Sequence, residues 1–145
     1  MEKWWPKIID RDSALATGKS GSIAGYVFAA MYIVGLISIS ITNSYDFADQ
    51  TIPIEEKIGV IAGVLGAFIL VVIWSWRIRS GRGYISSILL LLLFVFEIGV
   101  KIMSGFVGIF WYVIYLAMFI TMINAVRGTW AYRKFKNDPD IEVFD

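Results

Sequence analysis

The chain has 145 residues, about one domain, and is 58% hydrophobic with a mean hydropathy of +0.70, well above the roughly 45–50% apolar content of soluble domains. Thirteen basic and twelve acidic residues nearly cancel to a net charge of +1, so any electrostatic asymmetry lies in where the charges fall. Cysteine and histidine are both absent, which excludes disulfides, thiolate and histidine metal sites, histidine-ligated haem and a histidine general base; no cofactor and no metal is expected.

Residues 1–20 carry Trp4 and Trp5 among Lys3, Lys7, Arg11 and Lys19. Tryptophan prefers the headgroup level and lysine an anionic leaflet, so this segment is expected to lie at the membrane interface, with a short turn near Ser13–Thr17. The first membrane span is predicted over about 21–42. Its apolar region, about 22 residues, exceeds the usual 7–15 of a signal peptide and no A-x-A site follows, so a retained anchor is expected. The second span is predicted over about 58–76, the third over 84–103 and the fourth over 106–126, with a tail at 127–145; each has the roughly 20 apolar residues that crossing a bilayer needs. The fold expected is all-α, a four-helix transmembrane bundle.

Eleven of the thirteen basic residues flank the termini and the link between spans two and three, while Lys57 and Lys101 fall on the other side. By the positive-inside rule both termini should be cytoplasmic. Trp74, Trp76, Arg127 and Trp130 are read as further interfacial anchors. These basic clusters are short and each flanks a span, so they point to lipid, not to nucleic acid.

Helix association in lipid depends on close backbone approach and interhelical hydrogen bonds. Gly21 and Gly25 form one G-xxx-G pair; Gly59 and Gly63 form another, with Ala62 and Gly66 on the same helix. These stripes are expected to face other helices, of this chain or of a partner. Gly99, Gly105 and Gly108 allow close contact near the turn between spans three and four. Thr121 and Asn124 are expected to hydrogen-bond across helices.

The costly residues are in the third span. Glu97 and Lys101 are four apart, on one face and about 6 Å apart along the axis. Glu97 lies thirteen residues past Tyr84, about 20 Å along a core of about 30 Å. Lys101, farther out, can snorkel to the interface. Three readings stand: an ion pair that fixes helix rotation, a group for ion, proton or cationic-substrate coupling, or a contact with another membrane subunit. The inward face, through Phe94, Leu93, Leu90 and Ser86, holds no chain of carboxylates.

The stretch Ile123–Lys136, INAVRGTWAYRKFK, resembles the N-x-x-R-G-T-x-A-Y close of a group of small, uncharacterised four-span bacterial inner-membrane proteins, and DRDSALATGKSGSIAGYVFA is similar to their opening. Arg127, Gly128, Thr129 and Tyr132 are the matching positions. The resemblance implies a bacterial plasma membrane and termini inside, and it implies no activity. Independently of it, Arg127 is expected to end the fourth span at the headgroups and Gly128 to break the helix.

Three functions compete. A non-catalytic accessory or scaffold subunit, or a self-associating bundle, accounts for the missing chemistry and the glycine stripes; its partners would be membrane lipids, further copies or other membrane subunits. A small transporter or channel would use Glu97. A surface enzyme would have only Asp10 and Asp12 as acids at the cytoplasmic rim, and no catalytic residue is assigned.

Overall fold

The computed structural model describes residues 4–42, 53–105 and 108–137. Residues 1–3, most of the loop after the first span (43–52), residues 106–107 and the tail 138–145 lie outside the described residues, as do the side chains of Ser40 and Thr42. The described chain is four helices and no strand: α1 (Arg11–Thr42), α2 (Ile54–Arg79), α3 (Tyr84–Met103) and α4 (Ile109–Asn137). All four are long and apolar enough to cross a membrane. Each packs on its neighbours in sequence and α4 closes on α1, which gives an up-down-up-down bundle.

Two helices run farther than the hydropathy pattern indicates. α1 begins at Arg11, about ten residues before the expected start of the span, and α4 continues to Asn137. At 1.5 Å per residue they are about 48 and 44 Å long, against about 30 Å of hydrocarbon, so they project together at the end where Trp4 and Asn137 lie. The hydropathy window detects only the part of a helix that suits lipid; it is blind to a helical extension held by protein contacts.

Those contacts are local and specific. The Ser13 amide donates to Asp10 Oδ1 at 2.7 Å, while Ser13 Oγ accepts from the Asp10 amide at 3.0 Å. This reciprocal cap satisfies amides that the first helical turn would otherwise leave open. The bonds from Ser13, its amide first and then its hydroxyl, hold the Asp10 carboxyl below the usual carboxylate range. The lowered value means that the cap is at full strength above the ordinary carboxylate pKa and weakens as pH falls through the lowered one. Asp10→Ala should therefore reduce the melting temperature at pH 7, and the gap from wild type should narrow at pH 3; a gap that widens in acid contradicts the cap. Asp10 is thus engaged in capping.

Gly128 does not break α4, contrary to the sequence expectation. A side chain there would meet Gly18 N at 2.5 Å, Ala14 O at 2.8 Å and Thr17 C at 3.0 Å. The missing side chain admits α1, and its partner contacts keep α4 helical past the membrane edge. Around this crossing Ile8, Ala14, Ala131 and Phe135 form a small buried core. Deeper in the bundle, Gly21 presses on Ala125 and Gly25 on Ser75 and Leu90, as the first glycine pair predicts.

The larger core centres on Phe94, which meets Phe28 edge-on at 5.2 Å between ring centroids and Tyr115 at 6.2 Å. Its α3 members, Leu90 and Phe94 with Ser86 and Ser87 beside them, are the buried face of that helix. Packing is uneven along the axis. α2 buries only Val71, Ser75 and Ile78, all in its second half.

Among the described residues, no other helix packs against Gly59, Gly63 or Gly66: none of its atoms lies within 4 Å of where their side chains would start. The reason is rotational. Each is twelve residues from Val71, Ser75 or Ile78 respectively, which at 3.6 residues per turn puts it about 120° away around the helix. Spacing identifies a face fit for close approach without naming its occupant, and the α1–α2 contact uses the glycine of α1 at Gly25 instead. No described atom lies within 4 Å of the side-chain positions of Gly99, Gly105 and Gly108 either.

Candidate functional site

Polar groups gather in two places. The first is toward the loop end of the bundle. Lys101 Nζ lies 3.4 Å from Glu97 Oε1, the pair predicted from spacing, and both side chains are about one-third exposed, 35% and 30%. Two further residues complete it. Tyr32 of α1 donates its hydroxyl to Glu97 Oε2 at 3.2 Å, and Lys101 Nζ stands 5.7 Å from the centre of the Tyr115 ring on α4. Glu97 extends the buried stripe Ser86–Leu90–Phe94 by one further turn, so the carboxylate leans into the bundle where three helices meet. Sequence reading missed Tyr32. Its signal was a tyrosine one turn past Phe28, on the face that packs against Phe94.

The second place is the end carrying the described termini. Asn124 donates Nδ2 to the Trp4 carbonyl at 2.7 Å and accepts from Arg127 at 3.2 Å. The Arg127 guanidinium lies 3.9 Å from the Trp5 ring centre, a distance suited to cation–π attraction. The segment before α1 is therefore pinned to α4, with Ile8 buried at 2% exposure, and does more than rest at an interface. Thr121 does not bond across helices as expected: its hydroxyl donates to Ala117 O on its own helix at 2.7 Å. The hydroxyl pair that does cross is Ser87 with Thr129, 3.0 Å apart between α3 and α4. Trp4, Trp5, Trp76 and Trp130 are exposed, as anchors should be, whereas Trp74 is half-buried against the main core.

Beside this docked segment a cleft of about 570 Å³ opens between the start of α1, the α2–α3 turn and the end of α4. Arg11, Arg77, Arg82, Arg133 and Lys136 line it, and no carboxylate among the described residues does. The turn is built to place two of these. Gly81 has φ +73°, its amide bonds Ile78 O at 3.0 Å, and the Arg82 amide bonds Arg77 O at 3.2 Å. This six-to-one and five-to-two pattern ends a helix with a left-handed residue, for which glycine carries no steric penalty. Arg11 is held by donating to the Tyr132 hydroxyl at 3.0 Å, and Arg133 lies 6.0 Å from the Tyr84 ring centre.

Comparison with known proteins gives no match. No family model, curated protein or solved structure is similar to this chain. The function must therefore be argued from the two polar clusters and the uncovered face of α2. Among the described residues no group of histidine, cysteine or carboxylate side chains could hold a metal. What the arrangement of the described residues offers is charge pairing, anion attraction and helix contact.

Proposed function

We propose that this chain is a non-catalytic protein of a bacterial inner membrane, with both termini cytoplasmic, that acts as an accessory or scaffold subunit by docking the outer half of α2 on a second copy or another membrane subunit. The observation that carries the reading is the open space around Gly59, Gly63 and Gly66. Glycine is poor in an isolated helix by about 1 kcal/mol relative to alanine, and among the described residues no other helix packs on these three. In lipid such a face gives a partner helix close backbone approach. Exposed Ile58 and Leu65 on the same half of α2 supply apolar contact area.

Gly63→Leu provides the test, because no described residue of another helix lies within 4 Å of where a side chain at 63 would start. The variant should keep the wild-type melting temperature of the monomer and lose the assembled species in mass measurements from mild detergent. A wild-type protein that is monomeric in detergent and in membrane cross-linking, with no partner subunit, removes the reading.

The alternative is a small ion- or proton-coupled transporter or channel using Glu97. It is supported by the position of that carboxylate, turned toward the bundle interior and held by Tyr32. Against it, the described path from Glu97 toward the termini runs through Phe94 and Leu90, both buried and apolar.

A further inference from the structure

The cleft at the end carrying the termini has no role in helix docking, and its composition is lopsided. Five cationic side chains converge where no described carboxylate stands, and like charges brought together repel unless an anion joins them. Tyr132 and Tyr84 hold Arg11 and Arg133 in place. Among the described residues neither Arg77 nor Arg82 has a carboxylate partner.

Depth fixes the setting. α3 has 20 residues, about 30 Å, which equals the hydrocarbon thickness. Its first residue, Tyr84, lines the cleft, so the cleft sits at the level of lipid phosphates. A second groove of about 490 Å³ adjoins it, lined by Ile73 and Trp76 and sharing Arg77, Ser80 and Arg82 with the cleft. Two arginines thus stand between a basic chamber and a groove whose other wall carries the apolar side chains of Ile73 and Trp76 on α2. A ligand matching both is anionic at one end and hydrocarbon at the other.

We propose that the cleft binds the phosphate headgroup of an anionic phospholipid, with Arg77 and Arg82 gripping phosphate oxygens and an acyl chain lying along Ile73 and Trp76. The phosphate chemistry alone would also suit a soluble diphosphate, so the test separates the two sources. The full chain in mild detergent would be titrated with cardiolipin, with zwitterionic phosphatidylcholine and with inorganic pyrophosphate. Binding would be read by native mass spectrometry and by thermal shift.

Cardiolipin should bind and raise the melting temperature, while phosphatidylcholine should not. Each of Arg77→Gln and Arg82→Gln should weaken cardiolipin about fivefold. Arg79→Gln is the control, because Arg79 is exposed at the same end of α2 and does not line the cleft; it should change affinity less than about twofold at ordinary salt. All three arginines are on the surface, and unchanged melting without ligand would confirm that the variants fold. Pyrophosphate binding that depends on Arg77 and Arg82, with cardiolipin no tighter, would keep an anion site but overturn the lipid assignment. Equal losses at Arg79 and Arg82, or no binding by either probe, would overturn the site itself.

Discussion

Gly128→Ala should lower the melting temperature sharply, at a cost of about 1–3 kcal/mol, although it adds a single methyl. The added carbon would sit 2.5 Å from Gly18 N and 2.8 Å from Ala14 O. Those are backbone atoms, which cannot rotate aside, so α1 and α4 must separate along the extension they share. Ile8, Ala131 and Phe135 would lose contact with that shift, and the docked segment before α1 would loosen with them. Gly21→Ala should behave alike, because the atoms it meets include Cα and N of Ala125 at 2.6 and 2.8 Å. Gly25 is milder, since Ser75 Oγ and Leu90 Cδ2 belong to side chains. Gly59→Ala and Gly63→Ala are the contrast: with open space around them, alanine should leave the monomer unchanged or firmer through helix propensity. Thermal unfolding of the five variants in one detergent makes the comparison. Equal melting of Gly128→Ala and Gly63→Ala would contradict the α1–α4 crossing.

The second large effect is expected at Glu97. Removing one member of a partly buried pair leaves the other charged in apolar surroundings, so the single changes Glu97→Gln and Lys101→Met should each destabilise. The double variant should cost less than their sum by about 1 kcal/mol, the mark of directly interacting groups. Tyr32→Phe adds an arm that spacing alone would not have suggested. It removes the only hydrogen bond described between α1 and Glu97 and should cost about 0.6 kcal/mol, as membrane hydrogen bonds do on average. Its effect should shrink when Glu97 is already glutamine. A coupling role predicts otherwise: ion flux in liposomes would vanish with Glu97→Gln while melting stays at the wild-type value. Additive stability losses remove the pair as a structural element, and a flux that needs Glu97 would make transport the leading function.

The number and approximate membrane portions of the helices were legible because hydropathy reports on lipid. The Glu97–Lys101 pair was legible because i, i+4 geometry is intrinsic to a helix. What required tertiary contacts was not. Gly128 reads as a helix stop in a single strand of sequence and turns out to be a crossing point, since nothing local announces Ala14 and Gly18 opposite it. Thr121 and Thr129 look equivalent as polar residues on α4, yet only Thr129 faces a hydroxyl on another helix. The basic residues of the cleft were visible in the sequence only as a charge bias. Their convergence depends on Gly81 turning Arg82 back toward α4, which charge counting does not encode.

The contact between α1 and α4 also sets an order of events during synthesis. α1 enters the membrane first, with Gly21 and Gly25 along one side, while the helix that covers Gly21 has yet to be translated. The α1–α2, α2–α3 and α3–α4 contacts join consecutive segments and can form as each emerges. Gly21 and Ala125 are more than a hundred residues apart, so this closure comes last. Until then a groove of bare backbone faces the bilayer, open to lipid, to an insertion factor or to another nascent chain. A ribosome stalled before α4 would expose a cysteine introduced at Gly18, where an added carbon meets Thr129 of α4 at an ordinary 3.6 Å, to labelling that release of the full chain should abolish.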